Sequence, residues 1–166
     1  MPISSILKTK RDGTLLFEDN GAANSFTVVF EAGDLSIDIP QETIVNTLDR
    51  GRLGATPSLR YGDDQPITGS FTAYLRDLSD ASYATLEEIL MQSGDVGSNW
   101  VSTMGANGEV FTLDLTWTIA GLTHGDGNDH AIKLPFTVVR GGFAEGDPNT
   151  INVSFTSHVV RPTIVS

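Results

Sequence analysis

The segment Val110–Ile119, VFTLDLTWTI, decides the fold of this chain. From Phe111 to Ile119 every second side chain is large and apolar, and the side chains between them are Thr or Asp. A period of two predicts a β-strand that buries one of its faces. The opposite face carries short hydroxyl groups, where an ordinary solvated face carries Lys and Glu. We therefore expect a sheet whose polar face meets something other than open solvent.

The same pattern recurs along the chain. Thr68–Thr72 and Ile151–Thr156 also alternate apolar residues with Thr, Ser or Asn. Pro135 interrupts a further strand and belongs at a sheet edge or a bulge. One amphipathic helix is expected over about residues 80–92, capped by Ser79 or Asp80 and ended by Gly94. The strand signals place five strands before this helix and four after it, the first of these four over Gly97–Met104.

Composition limits the classes of function. The 166 residues fit one domain with a full core. The absence of Cys excludes disulfides, zinc–thiolate sites and thiol nucleophiles. A net charge of -11 argues against a protein that grips phosphates, but allows one past which nucleic acid moves without being held. No apolar run suits a membrane span or a signal peptide, which favours a soluble product made in a cytoplasm.

Two segments favour contact with other subunits. Residues 40–58 form a long extended loop with Arg50 and Arg52, and the N-terminal arm, residues 1–13, holds a second basic cluster. Only 3 of the 10 basic residues of the chain are Lys, which is typical of contact surfaces. The strands carry few of the charged or proline guards that protect sheet edges, so the edges are expected to pair between copies, as in a ring.

A search for chemistry nominates no catalytic, metal or cofactor site. The chain has no nucleophile elbow, phosphate-binding loop or dinucleotide fingerprint. The segment His124–His130 holds two His and two Asp, but it fails the calcium-loop pattern and is interpreted as a loop rich in turn formers. A monomeric β-sandwich module that binds carbohydrate or protein is the alternative to an assembly. Its candidate stacking residues are Trp100, Trp117, Tyr61 and Tyr74, although Trp117 shares a face with Leu113 and Leu115 and is better explained by core packing.

The segment Tyr61–Phe71, YGDDQPITGSF, followed by a strand and a short amphipathic helix, resembles the major tail tube proteins of long-tailed bacteriophages. The preceding strand Ile37–Pro40 and the long loop fit the same pattern, and the likeness extends over roughly residues 26–160. It implies a tail-tube-type β-sandwich or barrel with one flanking helix, as a single domain over residues 1–166. Bacterial secretion tubes share this fold and are a variant of the same hypothesis.

The resemblance also implies a function. Six subunits would form a ring whose inner sheets join into one barrel, and stacked rings would form the hollow tail tube of the virion. Phage DNA would pass through without specific binding. Assembly would occur around a tape-measure protein and on a tail-tip or baseplate initiator, without catalysis and without a membrane.

Two sets of residues are predicted to serve that function. The first would line the lumen, because hydroxyls and a carboxylate offer phosphate no fixed cation: Thr68, Ser70, Thr72, Thr112, Asp114 and Thr116. The second would form ring-to-ring contacts with acidic partners: Lys8, Lys10, Arg11, Arg50 and Arg52.

Overall fold

The computed structural model describes residues 13–21, 23–28, 35–40, 44–47, 58–76, 78, 83–105, 108–121, 127–159 and 161–165, with backbone only for 45–47 and 58–60. The elements of this part, in chain order, are β1 (Gly13–Glu18), β2 (Ser25–Val28), β3 (Ser36–Asp38), β4 (Ile44–Thr47), β5 (Ser58–Tyr61), β6 (Ile67–Tyr74), α1 (Leu86–Met91), α2 (Gly94–Asn99), β7 (Leu113–Ile119), β8 (His130–Ala144), β9 (Thr150–Ser157) and β10 (Thr163–Val165). The predicted mainly-β class is confirmed. The short strands β4 and β10 were not predicted.

Eight strands form one antiparallel sheet, in the order β2-β1-β7-β8-β9-β6-β3, with β10 paired to β8 beside this path. The strands β4 and β5 form a separate hairpin. Strand β8 is 15 residues long and joins the two halves of the sheet. It pairs with β7 from His130 to Thr137 and with β9 from Thr137 to Ala144.

The sheet rolls around a single core. The rings of Phe17 on β1 and Phe71 on β6 lie 6.4 Å apart. In a flat sheet these strands, four places apart, would be separated by roughly 19 Å. The inner faces of the two halves must therefore face each other, as the predicted sandwich or barrel requires. The buried side chains between them include Leu15, Leu115 and Phe155.

Gly69 on β6 allows this close packing. A Cβ added there would collide with the ring of Phe155 and with the carbonyl oxygen of Ser36. Any larger residue would push β3 or β9 away from β6. Glycine is otherwise unfavourable in a strand, and this close approach of β3 and β9 explains why Gly69 occurs in β6.

Pro135 lies at a bulge, one of the two positions expected for it. Between the pairs Leu113–Thr137 and Leu115–Leu134, two β8 residues oppose one β7 residue, and Phe136 has a φ of 51°. The Thr137 hydroxyl donates to the Leu134 carbonyl at 2.8 Å, and the Ser157 hydroxyl donates to the Pro135 carbonyl at 2.6 Å. These bonds satisfy carbonyls that the bulge removes from the regular ladder.

The helical region differs from the prediction. The predicted caps Ser79 and Asp80 lie outside the described residues, and the N-cap of α1 is Thr85, in a capping box with Glu88. The helix ends at Gln92 in the left-handed conformation, and Gly94 begins a second helix where it was expected to end the first. The predicted strand Gly97–Met104 is therefore wrong. Among the described helices, none has the length and apolar character that a membrane crossing needs.

Asp19 holds together the turn between β1 and β2 and connects it to the segment after α2. Its carboxylate accepts from the backbone and side-chain nitrogens of Asn24 at 3.0 and 2.8 Å, and from the Val101 backbone nitrogen at 3.4 Å. Burial raises the pKa of this carboxyl, but the hydrogen bonds outweigh burial, so the pKa lies below its ordinary value. Asp19 is thus charged and fully satisfied inside the protein.

Candidate functional site

A polar face covers the outer side of the four strands β3, β6, β9 and the distal half of β8, defined as Val138–Ala144. Alternation along each strand turns every second side chain outward. Cross-strand pairing sets these side chains in rows, one of which runs Ser36, Ser70, Ser154 and Arg140. We call this surface the hydroxyl face; its residues are Ser36, Asp38, Thr68, Ser70, Thr72, Tyr74, Val138, Arg140, Gly142, Ala144, Thr150, Asn152, Ser154 and Thr156.

The middle of the hydroxyl face is uncharged. The strands β6 and β9 contribute only Thr, Ser, Asn and Tyr side chains to it. Local hydrogen bonds satisfy part of this surface: the Thr72 hydroxyl donates to the Asn152 side chain at 3.2 Å, and the Ser154 hydroxyl donates to the Arg140 carbonyl at 3.4 Å. The three predicted residues Thr68, Ser70 and Thr72 lie here together.

A second outward surface, on β1, β7 and the first half of β8, is chemically different. We call it the mixed-charge face; it carries Glu18, Asp114, Thr116 and Lys133. Lys133 forms an ion pair with Asp114 at 2.9 Å, and the Thr116 hydroxyl donates to Glu18 at 3.4 Å. The sequence pattern of β7 predicts a carboxylate and hydroxyls, without Lys, on the polar side of this strand. The neighbouring strand supplies Lys133, because pairing places it opposite Thr116.

Thr112 does not belong to either face. It precedes β7, only 3% of it is exposed, and its hydroxyl bonds that of Thr103 at 2.7 Å. Its backbone nitrogen donates to the Ser102 hydroxyl at 3.1 Å. The alternation stops before Thr112 because the chain leaves the sheet there, so this residue ties the preceding loop and cannot line a lumen.

The two outward faces point in opposite directions. The strands β1 and β6 face each other across the core through Phe17 and Phe71, so their outer sides look away from each other. One lumen can therefore be lined by only one of them. Thr68, Ser70 and Thr72 belong to one candidate lining, and Asp114 and Thr116 belong to the other.

Among the described residues, the strand at each margin of the hydroxyl face has an outer edge without a partner strand. The strand order ends at β3, which pairs with β6 alone among the described strands. At the other margin, pairing of β8 with β7 stops at Thr137, and Val138–Ala144 pairs only with β9 within the described part of the chain. Unpaired strand edges of this kind are templates for pairing with another chain.

The hairpin β4–β5 extends across the end of the predicted extended loop, because β4 lies inside residues 40–58 and β5 begins at residue 58. Its residues Ile44 and Tyr61 are cross-strand neighbours, and both are strongly exposed, at 64% and 79%. An isolated two-stranded hairpin is at best marginally stable in water. An exposed apolar pair on such a hairpin favours contact with another molecule.

The remaining predicted residues are the ring-to-ring candidates and the aromatic residues. The five ring-to-ring candidates Lys8, Lys10, Arg11, Arg50 and Arg52 lie outside the described residues. Of the proposed stacking aromatics, Trp100 is buried and Trp117 packs against the core, as predicted for Trp117. A sugar platform would thus lack both tryptophans.

The loop considered for metal binding is described only in part. Asp129 accepts a bond from the backbone nitrogen of Gly121 at 2.6 Å, which ties the two ends of the loop together. Among the described residues, no group of three or more His, Asp or Glu side chains is placed to hold a metal ion.

The fold is shared with chains of contractile injection particles. The chain is similar to one in the six-fold symmetrised structure of the anti-feeding prophage baseplate, with a TM-score of 0.61 and 8% identity, over 100% of this chain and 98% of that chain. It is also similar to chains of the extracellular contractile injection system PVC. In the sheath/tube terminator the TM-score is 0.55 with 10% identity, over 100% and 98% of the two chains. In the sheath-tube complex it is 0.56 with 9% identity, over 98% and 93%.

These likenesses define the fold class of the chain. No protein-family model and no curated protein matches the sequence. The structural matches extend over nearly the whole of each chain, so the shared fold includes the rolled sheet and its flanking helices.

Proposed function

We propose that this chain is the structural subunit of a tail tube, in a bacteriophage tail or a related injection particle. Six copies form a ring, rings stack into a hollow tube, and the hydroxyl face lines the lumen. The observation that carries the proposal is an uncharged strip of sheet that, within the described part of the chain, has an unpaired strand edge at each margin. The chain contributes surfaces to this assembly, and no catalytic step is assigned to it.

Strand directions support closure of the ring through β3 and β8. All four strands of the hydroxyl face are antiparallel to their neighbours, so β3 and β8, at opposite margins, run in opposite directions. When copies are related by rotation about the lumen axis, β8 of one copy meets β3 of the next in an antiparallel pair. The pattern within the chain therefore continues across each subunit boundary without interruption.

The size of the resulting barrel suits a conduit. Six copies of four strands give 24 strands, taking six from the symmetry of the baseplate structure to which the fold is similar. With strands about 4.8 Å apart and tilted by about 40°, the backbone barrel has a diameter of about 50 Å. Short Ser and Thr side chains leave most of this width open, which is enough for a nucleic-acid duplex or an unfolded polypeptide.

The chemistry of the lining also supports the proposal. Hydroxyl and amide groups keep water at the wall and offer no array of cations to hold phosphate. The mixed-charge face, which carries Lys133, would then face outward. The likeness to chains of sheath-tube assemblies favours a contractile particle. The cargo would be phage DNA in a phage tail, where a tape-measure protein and a tail-tip or baseplate initiator would direct assembly.

Assembly state tests the proposal against the monomeric binding module. The purified chain is concentrated, then examined by size-exclusion chromatography with light scattering and by negative-stain electron microscopy. Rings or tubes with a central channel are expected. A compact monomer that stays monomeric at high concentration and binds a sugar saturably would overturn the tube and establish the module.

Stacking is tested through the predicted ring-to-ring residues. In the double variant Arg50→Glu, Arg52→Glu, acidic partners across the ring junction would repel the loop where they now attract it. Rings are expected to form while tubes become short or absent in electron micrographs. The variant Glu109→Arg, also a charge reversal at an exposed position, is the control. Tubes of normal length from the double variant would remove these residues from the junction.

A further inference from the structure

The charges on the hydroxyl face are confined to its margins. Within the described residues, β6 and β9 contribute none, β3 contributes Asp38, and the distal half of β8 contributes Arg140. Both side chains are exposed, and the described part of the chain shows neither in an ion pair. One margin therefore carries a single acid and the other a single base. These opposite charges would attract each other if the two margins met between copies.

We propose that Arg140 of one copy pairs with Asp38 of the next copy across the β8–β3 seam of the ring. This inference rests on the proposed function, since it requires that the two margins meet. It adds the pair of residues that selects the partner edge and sets the register of the strands. Each ring would contain one such pair at every seam.

The register of the sheet brings the two side chains within reach. Within one chain, Arg140 lies on the same row as Ser36, and Asp38 lies two residues further along β3. An offset of two residues at the seam sets Arg140 directly opposite Asp38 of the neighbour. The proposed seam has this offset, so the two residues are directly opposite each other.

The pair also explains how a cation is tolerated on a lumen wall. An unpaired Arg140 repeated around each ring would make a basic collar that holds phosphate. Pairing with Asp38 across the seam neutralises the only cation that the described residues place on this face. The same contact thus closes the ring and leaves the wall without a net charge from these strands.

Charge exchange tests the pair. The variants Arg140→Glu and Asp38→Arg each place like charges at every seam, which should lower the assembled fraction about tenfold at a fixed protein concentration. The double variant Asp38→Arg, Arg140→Glu restores opposite charges and should recover assembly to within about threefold of the unmodified chain. Glu109→Arg, a reversal of the same sign as Asp38→Arg at an exposed loop position, should assemble normally.

The outcomes separate this inference from the proposed function. If the unmodified chain forms rings but single reversals assemble equally well, the pair is refuted and the ring stands. Failure of the double variant to recover would also refute the pair. If the unmodified chain never forms rings, the proposed function itself fails. Circular dichroism of each variant as a monomer checks that these exposed substitutions leave the fold unchanged.

A disulfide gives a second measurement that does not depend on charge. The chain has no Cys, so a variant with Asp38→Cys and Arg140→Cys has one possible pair of thiols per seam. Within one chain these positions are three strand spacings apart, roughly 14 Å, which is too far for a disulfide. Mild oxidation should yield a ladder from dimer to hexamer on a non-reducing gel, which the two single-Cys variants should lack. Absence of the ladder from rings that do form would contradict the pairing.

Discussion

At the scale of single residues, hydrogen bonding explains why certain polar side chains are buried although their hydropathy favours the surface. Asp19 and Thr137 are among the most buried residues of the chain, with 2% and 0% exposure. The first receives bonds from Asn24 and Val101, and the second closes the bulge at Leu134. The bond from Val101 to Asp19 links two segments that sequence alone does not show to be neighbours.

Asp19→Asn should destabilise the fold by about 1–3 kcal/mol at pH 7, because a neutral amide replaces a carboxylate that accepts several bonds. The lowered pKa adds a pH dependence. The charged form stabilises the fold above the pKa of the unfolded chain, and this contribution is lost as pH falls through the folded-state pKa. Urea unfolding at pH 7 and at about pH 3 should show the difference between variant and parent shrinking in acid.

Asp64→Asn is the matched control, since Asp64 is an exposed carboxylate in the turn before β6. It should leave the urea midpoint unchanged at both values of pH. An Asp19→Asn midpoint indistinguishable from that of the control would show that the bonds to Asn24 and Val101 contribute no net stability.

At the scale of elements, helix α1 begins at the position where its first backbone N–H groups find hydrogen-bond acceptors. The apolar stripe of α1 was visible in the sequence, but Ser, Thr and Asp candidates for the N-cap occur at several positions before it. Thr85 is the cap because Glu88 completes a reciprocal pair of bonds, at 3.3 and 3.4 Å. The T-x-x-E signature of this capping box, from Thr85 to Glu88, is present in the sequence and marks where the helix begins.

Thr85→Ala should lower the free energy of unfolding by about 1 kcal/mol, because the Glu88 backbone N–H loses its acceptor in a buried site. Thr27→Ala, at an exposed Thr on β2, is the comparison. Chemical denaturation of both variants, at concentrations where the chain is monomeric, measures the difference. Equal midpoints for the two would show that the capping box is dispensable.

At the scale of the whole molecule, rolling of the sheet decides which surface could line the proposed lumen. The two polar surfaces predicted from similar strand patterns end up on opposite sides of the core. One of them carries the Lys133–Asp114 ion pair, and the other is uncharged between two margins whose outer edges have no partner strand among the described residues. Only the second combines a suitable lining with edges that can close a ring.

Ser70→Cys should react with a bulky polyethylene glycol maleimide in the monomer and become protected in assembled tubes. The reason is that residue 70 would face a lumen that large reagents enter only from the ends. Ser98→Cys, at an exposed position of α2, should react at similar rates in both states. The measurement is the rate of the gel shift. Equal labelling of residue 70 before and after assembly would show that another surface lines the tube.

The sequence by itself determined the mainly-β class, most of the strands, an edge or a bulge at Pro135 and the hydroxyl character of β6 and β9, because alternation and proline chemistry are local. It did not determine that Thr112 is buried, that Lys133 neutralises Asp114, or that Asp38 and Arg140 occupy opposite margins of one face. Those facts depend on which strands pair and on how the sheet rolls. Pairing between distant segments is set by the shared core, so only the tertiary structure decided which polar residues act together.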